Sequence, residues 1–318
     1  MELSEYFSFK LKPRPPYNVT LTIKKPAGWD LFTPEEMMEG DSLYTALYVG
    51  SVPVGLRIYG NTNARDPVLK IVAYTQKRAD SRLRREIKES LAFRLNVNGD
   101  LSEFYRFASK DSILRHAVKD LYGMHDTIMA NLFSACILGV CLQMAPLKRS
   151  QQMMENILTN YGKTLKFCNK TMRLWPLPSD IRKIATSTLA KKCKLGYRAK
   201  FITGISRVLS KGDFPPVEII SQMTGEEAKK KVMELPGIGD YASDIVLPHG
   251  GFPIDAWSVE VFGELFFGKK PSENRSAIER VKNAGIKRFG GWSWMAFFYV
   301  VNDLGNLSKK LGVNLRLE

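Results

Sequence analysis

"ELPGIGDYASDIVLPHGGFPIDAW", residues 234–257, is the stretch whose reading decides the fold. It holds Pro236, then Gly237 and Gly239 on either side of Ile238, then a run with helical spacing, then a loop that ends at Asp255. The preceding text, "GEEAKKKVMEL" (225–235), reads as a helix ending at Leu235, and "DYASDIVL" (240–247) as a second one. Two glycines straddling an apolar residue let a chain reverse tightly through positive φ. Ile238 is placed to anchor that turn in a core. The backbone N–H groups of Gly237 and Gly239 then point outward at the start of the second helix, where a phosphate diester is held without any side chain. Such a grip carries no base information. Taken alone, the run also fits an ordinary pair of antiparallel helices joined by a glycine turn.

Around this run lies a chain of 318 residues with 44% hydrophobic content and a formal net charge of +15. That length suits two domains. Solubility does not require so large an excess of cations, which points to a polyanion and above all to nucleic acid. No segment reaches the ~18 consecutive apolar residues of a membrane span. The opening "MELSEYFSFK" is acidic and polar, unlike a secretory signal. An intracellular protein with no membrane partner is expected. Cys136, Cys141, Cys168 and Cys193 form no C-x-x-C pair and match neither zinc nor iron–sulfur spacing, so they are expected as buried small apolar side chains. His116, His125 and His249 show no metal spacing either, and no metal or other cofactor is expected. His249, in the loop before Asp255, is a candidate for facing DNA.

The first part of the chain carries strand signals. "YNVTLTIKK" (17–25) alternates with period two, and "ALYVGSVPVGLRIYG" (46–60) and "PVLKIVAYT" (67–75) are rich in β-branched and aromatic residues. Turn residues separate them. From Ser81 the spacing becomes helical, and "SRLRREIKESLAFRLN" (81–96) shows a basic face at Arg82, Arg84, Arg85 and Lys88. "DTIMANLFSACILGVCLQM" (126–144) is apolar almost all round, which marks a central buried helix. Further helical runs follow, closing with "SWMAFFYVVNDLG" (293–305). The expected fold class is α+β: an N-terminal antiparallel sheet domain with its linking helices over 1–115, then an all-α domain of about ten helices over 116–318.

With its flanks included, the opening stretch resembles the helix–hairpin–helix base-excision glycosylases, a superfamily defined by a hairpin, a Gly/Pro-rich loop and an aspartate. The residues that carry the resemblance are "LPGIGDYASDIV" (235–246), "LPHGGFP" (247–253) and "IDAWSVEVF" (254–262). "KCKLGYRAKFITGISRVL" (192–209) and "GDLSEFYRFASKDSILRHAVKDLYG" (99–123) are similar to segments of the alkyl-adenine and 8-oxoguanine branches, as is the N-terminal sheet. The resemblance covers nearly the whole chain. It implies an enzyme that flips a damaged base out of double-stranded DNA and cleaves its N-glycosidic bond, working as a monomer.

The resemblance also assigns roles. Asp255 matches the superfamily's aspartate, whose carboxylate stabilises developing positive charge at the sugar and orients or deprotonates the attacking water. An aspartate at this place also reads as a helix N-cap. Pro236, Gly237, Ile238 and Gly239 match the phosphate-gripping hairpin. Members that also nick the strand carry a lysine early in the second hairpin helix, which forms a Schiff base. The matching position here is Tyr241, so a monofunctional enzyme with water as nucleophile is expected, with Lys200 and Lys231 as displaced alternatives. Aromatic residues favour cationic alkylated purines, and Tyr241, Trp257, Trp292, Trp294 and Tyr299 are candidates for the pocket wall. Apart from Tyr241, each of these read singly fits core packing as well. Ala296 stands where the 8-oxoguanine branch has an amide that reads the base edge, which weakens that reading. Gln143 and Met144, in the loop "CLQMAPLKR" (141–149), are candidates for the wedge that fills the gap left by the flipped base. Lys148 and Arg149 are candidates for phosphate contacts there. The alternatives are an 8-oxoguanine glycosylase, with or without lyase activity, and a non-catalytic protein that uses the hairpin only to dock on DNA.

Overall fold

A computed structural model describes residues 1–26, 33–128, 131–247, 251–269, 271 and 274–315. Asn18 makes the first departure from the sequence expectation. "YNVTLTIKK" alternates like a strand, yet Val19–Lys24 is a helix, α1. The Asn18 side chain accepts the Leu21 N–H at 3.0 Å, which caps the helix. Val19, Thr22 and Ile23 are all buried, at i, i+3 and i+4. A cap plus a buried helical face outweighs the weak strand preference of β-branched residues.

Five strands form an antiparallel sheet: β1 (Glu5–Leu11), β2 (Met37–Glu39), β3 (Ser42–Val49), β4 (Val52–Gly60) and β5 (Leu69–Thr75), in the order β1-β5-β4-β3-β2. One face packs on α1 and on α2 (Ser81–Arg94), with Leu43, Leu56, Ile58, Ile71, Ile87 and Leu91 in a single apolar cluster. On the other face Tyr44 and Ala46 pack beneath a second hairpin, β6 (Lys163–Phe167) and β7 (Lys170–Leu174), through Leu165, Phe167, Met172 and Leu174. Because β3 is covered from both sides, it is buried along almost its whole length. Gly55 of β4 lies directly under this hairpin. A Cβ there would sit 2.5 Å from the Phe167 ring, which explains a glycine inside a strand. The β6–β7 turn, Cys168–Asn169, has φ of 49° and 58°, the backbone of a type I′ hairpin. Cys168 is therefore half-buried at a turn, a correction to the expectation for the four cysteines; Cys136, Cys141 and Cys193 are buried as expected.

The remaining helices are α3 (Ser102–Ala108), α4 (Leu114–Asp120), α5 (Leu132–Leu142), α6 (Leu147–Tyr161), α7 (Pro178–Ile181), α8 (Thr186–Lys192) and α9 (Arg198–Leu209). They continue with α10 (Val217–Ile220), α11 (Gly225–Met233), α12 (Asp240–Val246) and α13 (Val259–Phe267). The last three are α14 (Arg275–Phe289), α15 (Ser293–Asn302) and α16 (Leu304–Leu311). The fold class is thus α+β, an antiparallel sheet with many helices.

The chain forms two compact units. Residues 1–101, 122–131 and 155–177 make the first, and 102–121, 132–154 and 178–318 the second. The β6–β7 hairpin belongs to the first unit, with the sheet on which it packs. In the second unit α5 is buried at every position but Leu138, as its all-round apolar sequence predicts. It packs on α12, where Gly139 meets Ala242: a Cβ added at Gly139 would lie 3.2 Å from the Ala242 Cβ.

Candidate active site

The hairpin between α11 and α12 is built from the residues that the sequence singles out. Gly237 has φ of +76°, and a Cβ there would lie 2.3 Å from Phe201 of α9. It therefore needs glycine twice over, for conformation and for space. Gly204 of α9 gives Pro236 its seat, a Cβ there falling 3.0 Å from the Pro236 ring. Ile238 is buried, as an anchor should be. Gly239 differs from the expectation. It is the N-cap of α12 with φ −96° and ψ −169°, extended backbone that any residue adopts, and nothing lies within 4 Å of where its Cβ would be. Only the first glycine bends the chain. The second leaves open space at the helix start.

Four charges fasten the two hairpin helices to α14. Lys229 of α11 lies 2.5 Å from Asp240 and 2.9 Å from Asp244, and Lys282 of α14 pairs with Asp240 and, at 2.6 Å, with Asp244. Asp244 is fully buried and also accepts the Gly251 N–H at 3.3 Å. Burial works against the ionised Asp240, but the two lysines outweigh it and hold its carboxyl below the usual range.

Asp255 lies three residues before Ser258, the N-cap of α13. Its carboxylate does not cap that helix. Oδ1 accepts the Ala256 N–H at 2.7 Å, and Oδ2 accepts the N–H of Met144, from the loop after α5, at 3.0 Å. Its own N–H donates to Ser258 Oγ at 3.0 Å, and its carbonyl receives the Val259 N–H at 2.9 Å. The carboxyl is thus fixed from two directions. Asp255 is only 3% exposed, and burial pushes its carboxyl above the ordinary aspartate value. The two backbone N–H groups and the Arg198 guanidinium act in the opposite sense without cancelling that rise.

The loop that holds Asp255 also reaches the hairpin. Gln143 Nε2 donates to the Gly237 carbonyl at 2.9 Å. Met144 takes a left-handed backbone, φ +45°, and its side chain is 64% exposed. A non-glycine residue in that region is uncommon and marks a backbone held by its surroundings. The buried carboxylate therefore sits one hydrogen bond beneath an exposed residue, in a loop tied to the hairpin turn. Sequence reasoning did not find what steadies this loop. Arg198, the first residue of α9, donates to the carbonyls of Val140 at 3.2 Å and Gln143 at 2.5 Å, so it closes the C-terminal end of α5. A cation at a helix start runs against the helix dipole, and that misplacement in "GYRAKF" was the available signal. Tyr197 beside it is 56% exposed, with the Arg198 guanidinium 4.8 Å from its ring centre.

The five aromatic candidates fall into separate groups. Tyr241 and Trp257 meet, the indole Nε1 donating to the Tyr241 hydroxyl at 3.5 Å. Burial first, and the negative charge of Asp255 second, push the Tyr241 phenol upward. Trp257 continues to Phe297 at 5.8 Å, and Phe297 to Trp294 at 6.2 Å. Tyr299 and Trp292 instead share Phe104, at 5.0 Å and 5.6 Å, and the Tyr299 hydroxyl lies 3.1 Å from that of Tyr105. Tyr299 is completely buried, and so is Ala296. His249 lies outside the described residues. Among the described residues no cluster of His, Cys, Asp and Glu could hold a metal ion, and no helix is long and apolar enough to cross a membrane.

No family model matches the chain. It is similar to the DNA-3-methyladenine glycosylase of Bacillus subtilis, 24% identical over 54% of this chain and 58% of that one. It is also similar to a probable N-glycosylase/DNA lyase of Methanothermobacter thermautotrophicus, 22% identical over 61% of this chain and 68% of the relative. The chain thus spans a little over half the length of the first relative. Among solved structures, the 3-methyladenine DNA glycosylase of Archaeoglobus fulgidus matches with a TM-score of 0.75 at 19% identity, over 94% of this chain and 99% of that one. The 8-oxoguanine glycosylase/lyase of Clostridium acetobutylicum, in complex with double-stranded DNA, matches with a TM-score of 0.67 at 14% identity, over 98% and 100%. The relatives are named as glycosylases, the two solved structures share this chain's fold, and residues 234–257 resemble the helix–hairpin–helix glycosylases in motif.

Proposed function

We propose that this protein is a DNA glycosylase of base-excision repair, acting inside the cell as a monomer on double-stranded DNA that carries a damaged base. In this reading an N-terminal sheet domain precedes a helical glycosylase domain. The turn Pro236-Gly237-Ile238-Gly239 holds a backbone phosphate through main-chain N–H groups, and the open space at Gly239 supports this. Met144 enters the gap left by the flipped base, with Gln143 bracing the loop against the turn.

One observation carries the chemistry: a buried carboxylate, Asp255, fixed by two backbone N–H groups beneath the exposed Met144. Cleavage of an N-glycosidic bond builds positive charge on the sugar. A carboxylate with little water around it stabilises that charge far more than a solvated one does. Asp255 also accepts a proton from the attacking water, and its raised pKa suits a base better than an ordinary aspartate would. The departing base is stabilised against the aromatic pair Tyr241–Trp257, which favours a cationic alkylated purine. A phenol at 241 forms no Schiff base, so water is the nucleophile and the strand is left unnicked.

Asp255→Asn is expected to bind duplex DNA and to release no base from duplexes bearing methyladenine or hypoxanthine. Equal excision by the variant and the wild type refutes the assignment, and binding without excision by both leaves a docking protein. A second reading, an 8-oxoguanine glycosylase with or without lyase activity, draws on the likeness to the Clostridium acetobutylicum structure and on the relative named N-glycosylase/DNA lyase. A covalent DNA adduct trapped by borohydride, or release of 8-oxoguanine in preference to methyladenine, would favour it.

A further inference from the structure

One face of the sheet of the first unit packs on α1 and α2, and among the described residues the other face is covered only in part. On that second face the β6–β7 hairpin packs over Tyr44, Ala46 and Gly55. Beyond it, across β1, β5 and β4, lie Tyr6, Ser8, Lys10, Lys70, Arg57 and Tyr59. The strand register sets them in rows: Lys10 opposite Lys70, Lys70 opposite Tyr59, and Tyr6 opposite Tyr74. Tyr6 is 68% exposed, Ser8, Lys10 and Lys70 are exposed, and Arg57 and Tyr59 are half-buried.

Two features set this surface apart. Lys10 and Lys70 are directly opposite on adjacent strands, an arrangement that destabilises a sheet. Neither has an acidic partner among the described residues. Protection of an edge strand accounts for Lys10 on β1, but Lys70 lies on β5, inside the sheet. The second feature is the interleaving of cations with aromatic rings. Arg57 lies 4.9 Å and the Lys70 Nζ 5.9 Å from the Tyr59 ring centre, while Tyr6 leans on Tyr74 at 6.1 Å. The Arg57 Nε donates to Ser42 Oγ at 3.2 Å, and no carboxylate pairs with Arg57 among the described residues.

We propose that this uncovered part of the sheet binds single-stranded nucleic acid, with Lys10, Lys70 and Arg57 on phosphates and Tyr6 and Tyr59 against unpaired bases. Cations alone would suit any polyanion. The exposed Tyr6 ring and the half-buried Tyr59 ring beside them select a strand whose bases are free to stack, which a duplex does not offer. The inference does not depend on the reading of Asp255.

Lys70→Glu tests it in one variant. A glutamate opposite Lys10 replaces repulsion with attraction, so the melting temperature is expected to rise. Affinity for a labelled dT 12-mer, read by fluorescence anisotropy, is expected to fall about tenfold, and the salt slope to shrink by about 0.7 or more. Lys70→Gln should show the same loss in weaker form. Tyr6→Ala with Tyr59→Ala should weaken dT 12-mer binding about tenfold and leave binding of a 12-bp duplex within twofold. Asp255→Asn should bind the dT 12-mer as the wild type does, whatever its effect on excision. A Lys70→Glu protein with unchanged dT affinity and slope overturns the proposal. So does a tyrosine double variant that binds the dT 12-mer normally, and so does a glutamate 12-mer that competes as well as dT.

Discussion

In the proposed function, Asp255 is subject to two opposing demands. Chemistry at a sugar needs a charged carboxylate with little water around it, and folding disfavours placing one there. The backbone N–H groups of Ala256 and Met144 make the compromise stable. Because the folded-state pKa is raised, the folded protein holds the Asp255 proton more tightly than the unfolded chain does. The sign of the pH dependence follows. Stability from this group declines as pH rises from the ordinary aspartate value through the raised one, and stays reduced above it. The melting temperature of the wild type minus that of Asp255→Asn should therefore fall as pH is raised from 3 to 7. A constant difference would show that the carboxyl titrates normally. The same shift should place the acidic limb of the excision profile above the pH of an ordinary aspartate.

At the scale of elements, the two hairpin glycines should separate. Gly237→Ala forces a side chain into left-handed backbone and onto Phe201, so a destabilisation of about 1–3 kcal/mol is expected in thermal or urea unfolding. Gly239→Ala meets neither obstacle and should leave stability within about 0.5 kcal/mol. If a phosphate approaches the backbone there, the same change should weaken duplex binding several-fold without altering its salt slope, since no cation is lost. The junction of α15 and α16 offers a pH test of its own. Asp303 is buried beside Asp120, and burial first, then that neighbouring charge, pushes its carboxyl up to about 7, with one oxygen lacking a partner. Its ionisation costs stability as pH rises from the ordinary carboxylate range to about 7. Asp303→Asn should therefore gain in melting temperature relative to the wild type at pH 8, and less or nothing at pH 4.

For the whole molecule the governing quantity is the net charge of +15. It should give undamaged duplex a measurable, sequence-independent affinity whose logarithm falls linearly with log salt, by about 0.9 per phosphate neutralised. Lys148→Ala should reduce that slope by about one unit if this lysine touches a phosphate, and Asp255→Asn should leave it unchanged. A slope near zero in the wild type would remove nucleic acid as the partner that the charge implies.

What the sequence determined by itself is local or compositional. Gly237 is legible because only glycine tolerates its backbone, α5 because its apolar residues go all round, and the surplus of cations because charge is additive. The meeting of Asp255 with the loop at Met144 was not legible, since 111 residues separate them and no local pattern couples the two. Arg198 reaching back to the end of α5, and the division of the five aromatic candidates into separate groups, likewise depend on how helices pack. The same holds for residues 17–25, whose strand-like alternation yields to a cap and a buried face, and for the β6–β7 hairpin, recognised only by the sheet that it covers. Tertiary structure decided these because burial is a property of the folded surface, and its free energy exceeds the few tenths of a kcal/mol, about the scale of local preference, that a short stretch of sequence expresses.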